Sequence, residues 1–268
     1  MSLLASMQSA LDDVAAREAA LATVSVFETL PSTNTWLMGQ LPPAIGEAHA
    51  ALTLHQTEGR GRQGRTWHAP SGSGLCLSVA YRFAAMPESA SALTLSLGVV
   101  IVDALRTLGV PDVSLKWPND LVGDDCKLGG ILVESNTLKD GSFLVVAGMG
   151  INHRLPDGFE LPPSAAGWAR GVTDVSTLSP NVDLPALASG VLAAALTCMT
   201  AFEQTSMADT MTAFNAMHWL CDQSIEVDGY AGRCGPVDDT GRLSLVDDAT
   251  GSVHYISSGE PVPLKVVA

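Results

Sequence analysis

Positive charge is scarce in this 268-residue sequence: 14 lysines and arginines stand against 28 aspartates and glutamates, a formal net charge of −14. A molecule with that field does not gather nucleic acid over its surface, because phosphate binding draws on clustered cations. Aromatic residues reach only 5% and charged residues 16%, against 47% hydrophobic residues, which excludes intrinsic disorder and predicts a packed core. The first twenty residues lack a basic segment ahead of an apolar run and carry Asp12, Asp13 and Glu18 instead, so no export signal is read and a cytoplasmic location is expected. The longest apolar stretch, Ala90 to Leu108, is broken by Asp103 and Arg106 and reads as a buried helix with no membrane span. Five cysteines (Cys76, Cys126, Cys198, Cys221, Cys234) form no C-x-x-C pair, which suits reduced packing thiols better than disulfides or zinc, and no metal site built from protein ligands emerges.

The order of apolar periods places the elements. Residues 3 to 22 read as one amphipathic helix followed by a strand-like run from Thr23 to Phe27, too little chain for a two-helix DNA-binding unit. Ala48 to Leu54 and Leu75 to Phe83 read as strands around a loop dense in glycine and arginine, and Ser89 to Leu108 as a helix stopped by Gly109. Val113 to Trp117 leads through Pro118-Asn119-Asp120 into a hairpin turning at Gly123-Asp124-Asp125 and returning along Lys127 to Glu134. A second hairpin turns at Lys139-Asp140-Gly141 and leaves along Phe143 to Ile151. Strands that follow one another without helical crossovers predict a mixed, largely antiparallel sheet flanked by helices, an α+β fold. Leu155 to Pro180 is rich in Pro, Gly and Ser; Leu184 to Gln204 and Met207 to Trp219 resume helical patterns. Brief β runs at Ser224 to Asp228, Leu243 to Val246 and Val253 to Ile256 predict a small C-terminal barrel, with domains of 1–220 and 221–268.

The densest chemical signal is Gln56-Thr57-Glu58-Gly59-Arg60-Gly61-Arg62-Gln63-Gly64-Arg65-Thr66-Trp67, which puts three of the fourteen basic residues among three glycines. Bare backbone lets an anion approach closely and guanidinium groups donate forked hydrogen bonds to phosphate or carboxylate. Taken alone, the string is equally the composition of a solvated basic loop. It lacks the Walker spacing, and the β-like segment after it does not suit a Rossmann turn. A second block runs Lys116-Trp117-Pro118-Asn119-Asp120-Leu121, then Lys127-Leu128-Gly129-Gly130-Ile131-Leu132-Val133-Glu134-Ser135; a third is Gly148-Met149-Gly150-Ile151-Asn152.

These blocks, in this order and with Ser32-Thr33-Asn34 ahead of them, resemble the biotin protein ligase family, closely over residues 25 to 152 and loosely beyond. The resemblance implies a class II synthetase-like catalytic domain with an SH3-like β-barrel appended, in the form without an N-terminal DNA-binding domain. It implies ATP and biotin as substrates with Mg²⁺, activation of biotin to biotinyl-5′-AMP, and transfer to a lysine of a biotin carboxyl carrier protein. It also implies roles. Lys127, Arg60 and Arg62 would be catalytic, with Lys127 reaching the biotin carboxylate and the α-phosphate. Ser32, Thr33, Asn34 and Gln56 would join Gly59, Arg60, Gly61, Arg62, Lys127 and Gly130 around biotin. Arg62, Arg65, Trp67, Asn119 and Asn152 would address the adenylate, and the stretch holding Arg65 and Trp67 would close as a lid. Each has a bland reading beside it: turn or cap chemistry for Ser32, Thr33 and Asn34, a surface lysine for Lys127, core packing for Trp67.

Two departures stand out. Gln63 occupies a position where the family often has arginine, and Pro261 and Pro263 disturb the register between Gly259-Glu260 and Lys265 at the tail. His68 and His153 lie beside the motifs and read as packing or hydrogen-bonding residues. Two other readings stay open: a lipoate or octanoate ligase of the same architecture, and a noncatalytic biotin sensor. No nucleic acid or membrane partner is expected, and homodimerisation through sheet edges is left open.

Overall fold

A computed structural model of the chain describes residues 2–160 and 171–264. Its elements in order are α1 (Leu3–Ala15), β1 (Leu21–Leu30), α2 (Thr33–Met38), β2 (Ala48–Gln56), β3 (Gly74–Phe83), α3 (Leu93–Thr107), β4 (Val113–Lys116), β5 (Asp120–Gly123), β6 (Cys126–Thr137), β7 (Phe143–Asn152), α4 (Val175–Leu178), α5 (Leu184–Ala201), α6 (Met207–Ala216), β8 (Ser224–Val227), β9 (Tyr230–Val237), β10 (Leu243–Val246), β11 (Val253–Ile256) and β12 (Val262–Pro263).

The first seven strands form one sheet in the order β1-β2-β3-β7-β6-β5-β4. β1 and β2 are parallel, joined across α2, and every other neighbouring pair is antiparallel. The hairpins follow their turn chemistry. Asp124 and Asp125 hold φ of 49° and 58° between β5 and β6, the left-handed pair that a two-residue turn requires and that aspartate tolerates. Gly141 (φ 84°) turns β6 into β7, and Gly109 (φ 91°) ends α3, as read from the sequence.

Alternation along the strands divides the sheet into unequal faces. Leu75, Leu77 and Val79 of β3 and Val145, Ala147 and Met149 of β7 point to one side, where they share the main core with Leu97 and Ile101 of α3 and Leu187 and Val191 of α5. α3 and α5 lie in the two segments long and apolar enough to cross a membrane; both pack into this core. On the other face Ala51, Ala80, Leu144 and Val146 form a small cluster with Leu37 of α2. The second sheet, β11-β10-β9-β8-β12, is antiparallel throughout, and its Ile225, Val227, Cys234 and Leu245 belong to the same buried cluster as the main core.

Several boundaries differ from the sequence reading. The first helix stops at Ala15, where the Arg17 and Glu18 N–H groups both turn back to Val14 O, and β1 starts at Leu21, two residues before the expected Thr23, and runs on to Leu30, past the expected end at Phe27. Ala90–Ala92 is a 3₁₀ turn ahead of α3, and the second helix after Leu184 ends at Ala216. β9, the longest strand of the small sheet, was hidden by Gly232, Gly235 and Pro236, which lower strand propensity but sit here where Val246 and Ser244 press close. The Leu155 to Pro180 stretch is described only at its ends, where Asp174 caps α4, and Lys265 lies outside the described residues.

A candidate active site on a row of glycines

A cavity of about 110 Å³ opens beside α2. Its floor follows from strand register. Along the α2 face the β3–β7 pairs run from Ala80 opposite Val146 to Ser78 opposite Gly148, then to Cys76 opposite Gly150, so β7 loses its side chains toward this end. The last pair extends across the sheet: Cys76, Gly150, Gly130, Asp120 and Lys116 are successive partners on β3, β7, β6, β5 and β4. From Cys76 to Asp120 is three strand spacings, about 14 Å. Two adjacent glycines make a trough, with uncharged polar groups at one end and charged groups at the other.

The uncharged end is built on the first turn of α2. Ser32 caps the helix, its Oγ accepting from Thr35 N–H at 3.4 Å. Thr33 donates its N–H (2.8 Å) and its hydroxyl (3.2 Å) to Gln56 Oε1, and its Oγ1 is 2.6 Å from Ser78 Oγ. Asn34 is buried; its amide donates to Glu134 Oε2 at 3.0 Å and to Leu132 O at 3.3 Å, while its Oδ1 accepts from Ser78. A Cβ on Gly148 would come within 2.4 Å of that Oδ1. Asn34 therefore orients its neighbours. Burial pushes the Cys76 thiol up to about 12, so it stays protonated and apolar on the floor. The Trp67 indole Nε1 is buried without a hydrogen-bond partner among the described residues.

The charged end gathers four cations (Lys127, Lys116, Arg65, Arg62) and two carboxylates (Asp120, Glu260). Lys127 Nζ lies 2.8 Å from Asp120 Oδ1, and the buried Lys116 Nζ lies 2.5 Å from Glu260 Oε1. Arg65 meets Glu260 Oε2 at 2.9 Å, while Arg60 meets Glu134 Oε1 at 2.8 Å above the other end, beside Asn34. Arg62 has no ion pair or hydrogen bond among the described residues. Burial lowers its pKa, opposed by Glu260 and Asp120, yet a guanidinium stays charged at any physiological pH. The cluster carries an excess of two positive charges, and the cation left unpaired is half-buried and faces the cavity.

The loop that carries the arginines folds back on itself. Arg60 bridges Thr66, Gly61 N–H donates to Arg65 O at 2.7 Å, and Trp67 N–H donates to Gly59 O at 2.9 Å. Trp67 lies on the trough, where a Cβ on Gly150 would stand 2.7 Å from its Cε2.

Of the residues singled out in the sequence, Ser32, Thr33, Asn34, Gln56, Arg60, Gly61, Arg62, Arg65, Trp67, Asn119, Lys127, Gly130 and Asn152 all border the cavity. Gly59 does not; its Cβ would sit 2.5 Å from Trp67 O, so its role is close packing behind the wall. The side chains of Asn119 and Asn152 also brace the backbone, donating to Ile131 O (3.0 Å) and Thr173 O (3.0 Å). His153 is bound to Val182 O, the packing role expected of it, whereas His68 borders the cavity. Cys76, Lys116, Asp120, Glu134 and Glu260 were not singled out. Lys116, Asp120 and Glu134 stood inside the motif blocks, and only the sheet register reveals which of their side chains share the cavity face.

Residues 26–152 match the profile of the biotin/lipoate A/B protein ligase family. Over 230 residues the chain is 32% identical to the bifunctional ligase/repressor BirA of Escherichia coli, covering 84% of this chain and 70% of that protein. It is 30% identical over 245 residues to the biotin–acetyl-CoA-carboxylase ligase of Mycobacterium tuberculosis, covering 87% and 86%. A biotin protein ligase from Aquifex aeolicus, solved in complex with biotin and ATP, has the same fold, with a TM-score of 0.69 over 90% of this chain and 97% of that one at 22% identity.

Proposed function

The chain belongs to the biotin protein ligases of the biotin/lipoate A/B protein ligase family, and from that premise we propose that the glycine trough holds biotin lengthwise, ring at Cys76 and carboxylate at Lys127, for attack on ATP. The observation that carries this reading is the row Cys76-Gly150-Gly130-Asp120-Lys116, which joins a polar, uncharged pocket to a cationic one across a floor without side chains. Thr33 and Gln56 supply the donors and acceptors that a ureido ring needs, and burial makes an unmatched partner there costly.

In the first step a carboxylate oxygen forms a bond to the α-phosphorus while the bond to the bridging oxygen breaks and pyrophosphate leaves. Two anions must approach, so fixed positive charge has to offset their repulsion. Arg62 is available without breaking an ion pair, and Lys127 can turn from Asp120 to the reacting oxygens. Mg²⁺ enters with ATP as part of the substrate, on phosphate oxygens and water; no trio of His, Cys, Asp or Glu gathers among the described residues. In the second step the acceptor amine attacks the acyl carbon and AMP leaves. The acceptor is a lysine of a biotin carboxyl carrier domain. Trp67 and the arginine loop cover the trough and exclude water from the mixed anhydride.

The test is incubation of the purified chain with labelled biotin, MgATP and a carrier domain, followed by mass spectrometry of the carrier. One biotin on a single lysine is expected. An unmodified carrier, with lipoate or octanoate transferred in its place, would overturn the reading.

A further inference from the structure

The arginine loop is gripped at both flanks by carboxylates from distant parts of the chain. Arg60 is held by Glu134 on β6, with contacts of 2.8 Å and 3.3 Å, and Arg65 by Glu260, two residues before β12, at 2.9 Å. Arg62, between them, is the arginine of the loop left unpaired among the described residues. Each carboxylate is itself oriented by a residue of the site. Glu134 accepts the amide of Asn34 at 3.0 Å, at the ring end, and Glu260 meets Lys116 at 2.5 Å, at the charged end.

We propose that Glu134 and Glu260 are positioning residues that clasp the loop across the trough by its flanking arginines, reserve Arg62 for the ligand's anion, and thereby retain the acyl-adenylate until the carrier arrives. This rests on the functional reading above. A segment with three glycines in six positions loses much conformational freedom when it is ordered, and it is tied down by Trp67 packed on Gly150, by Arg60 donating to Thr35 Oγ1 at 3.4 Å, and by the two ion pairs. The two ion pairs are the charged part of that tie, one on each flank. They are partly exposed, with Arg60 49% and Arg65 35% accessible, so each is weak enough to open for entry of biotin and ATP. An apolar clasp would not release, and a single pair would leave one side of the trough open to water. The division of labour also accounts for three arginines in one loop: two hold, one binds.

The experiment compares the wild-type chain with Glu134→Gln, Glu260→Gln and the double variant, each loaded with labelled biotin and MgATP, freed of excess ligand, and followed by trapping escaped biotinyl-adenylate with hydroxylamine. Escape should rise by about two- to five-fold in each single variant, the range a partly exposed ion pair contributes, and by the product of the two factors in the double. The melting temperature of Glu134→Gln should stay at the wild-type value, whereas Glu260→Gln should melt lower because it removes the charge that meets the buried Lys116, and the charge swap Glu134→Arg with Arg60→Glu should restore retention. Variants that melt as the wild type does and hold the intermediate equally well would overturn the clasp. So would escape that rises only as stability falls. Should Glu260→Gln fail to fold because Glu260 also meets Lys116, Glu134→Gln tests the idea by itself. If the wild type formed no biotinyl-adenylate, the functional reading would fail, and the clasp would be judged separately by ligand-free proteolysis, which must cut residues 59–67 faster in the variants than in the wild type.

Discussion

Gly148 and Gly150 both belong to the motif Gly148-Met149-Gly150-Ile151-Asn152, yet the reasons for them differ and neither is local. A methyl group on Gly148 would collide with Asn34 Oδ1 and one on Gly150 with the Trp67 ring, partners more than eighty residues away in each case. Gly148→Ala should therefore destabilise the fold by about 1–3 kcal/mol, the usual cost of overpacking a filled site, measured by thermal melting. Gly150→Ala should leave the melting temperature nearly unchanged and weaken biotin binding about ten-fold in calorimetry, because the displaced ring then intrudes on the trough. Lys127→Ala should lower pyrophosphate release by about 10²-fold or more, the scale of losing one charge aimed at a transition state. Near-normal turnover would remove Lys127 from the reaction. His218 carries a different prediction. Burial first, and the nearby Lys116 second, push its pKa down from 6.5 to about 4. Between those values the unfolded chain binds a proton that the folded chain refuses, so stability falls as pH drops through that window, by roughly 3 kcal/mol. A melting series from pH 7 to 4.5 should show the loss, and His218→Gln should flatten it.

Helices and hairpins were legible where local chemistry specifies them. The turn at Gly123-Asp124-Asp125, the stop at Gly109 and the start of α5 behind Asp183, whose carboxylate accepts from Ala186 N–H at 2.8 Å, are all read directly from residue type. The ends that went astray are those where tertiary pairing overrides propensity. Ala16 to Ala20 is good helical sequence, but β1 needs Leu21 opposite Ala48 and takes the chain away. The arginine loop is an intermediate case, since its composition predicts a binding segment without saying what anchors it. Its glycines and partly exposed ion pairs predict that proteolysis within residues 59–67 slows when biotin and ATP are added together. Equal cleavage rates with and without ligands would argue against closure.

The two sheets are joined through more than a linker. Trp117 Nε1–H donates to Gly241 O at 3.0 Å, Asn215 exchanges two hydrogen bonds with Val237, and the buried apolar cluster runs through both. Calorimetry should accordingly show one unfolding transition, with calorimetric and van't Hoff enthalpies in agreement; two resolved transitions would show that the small sheet melts independently. The net charge of −14 is likewise a property of the whole, and it makes the local excess of cations at Arg62 the feature to explain.

What the amino-acid order alone determined was the α+β class, the succession of strands, and the segments that meet at the site, because periodicity, turn residues and the Gly-Arg string act over a few neighbours at a time. Tertiary structure decided that Cys76, Gly150, Gly130, Asp120 and Lys116 form one row, that Glu134 and Glu260 engage the loop, and that Arg62 is left unpaired. Those facts depend on strand register and on contacts up to 195 residues apart, such as Arg65 with Glu260. A shift of one residue in any of the paired strands would turn every side chain of that strand to the opposite face.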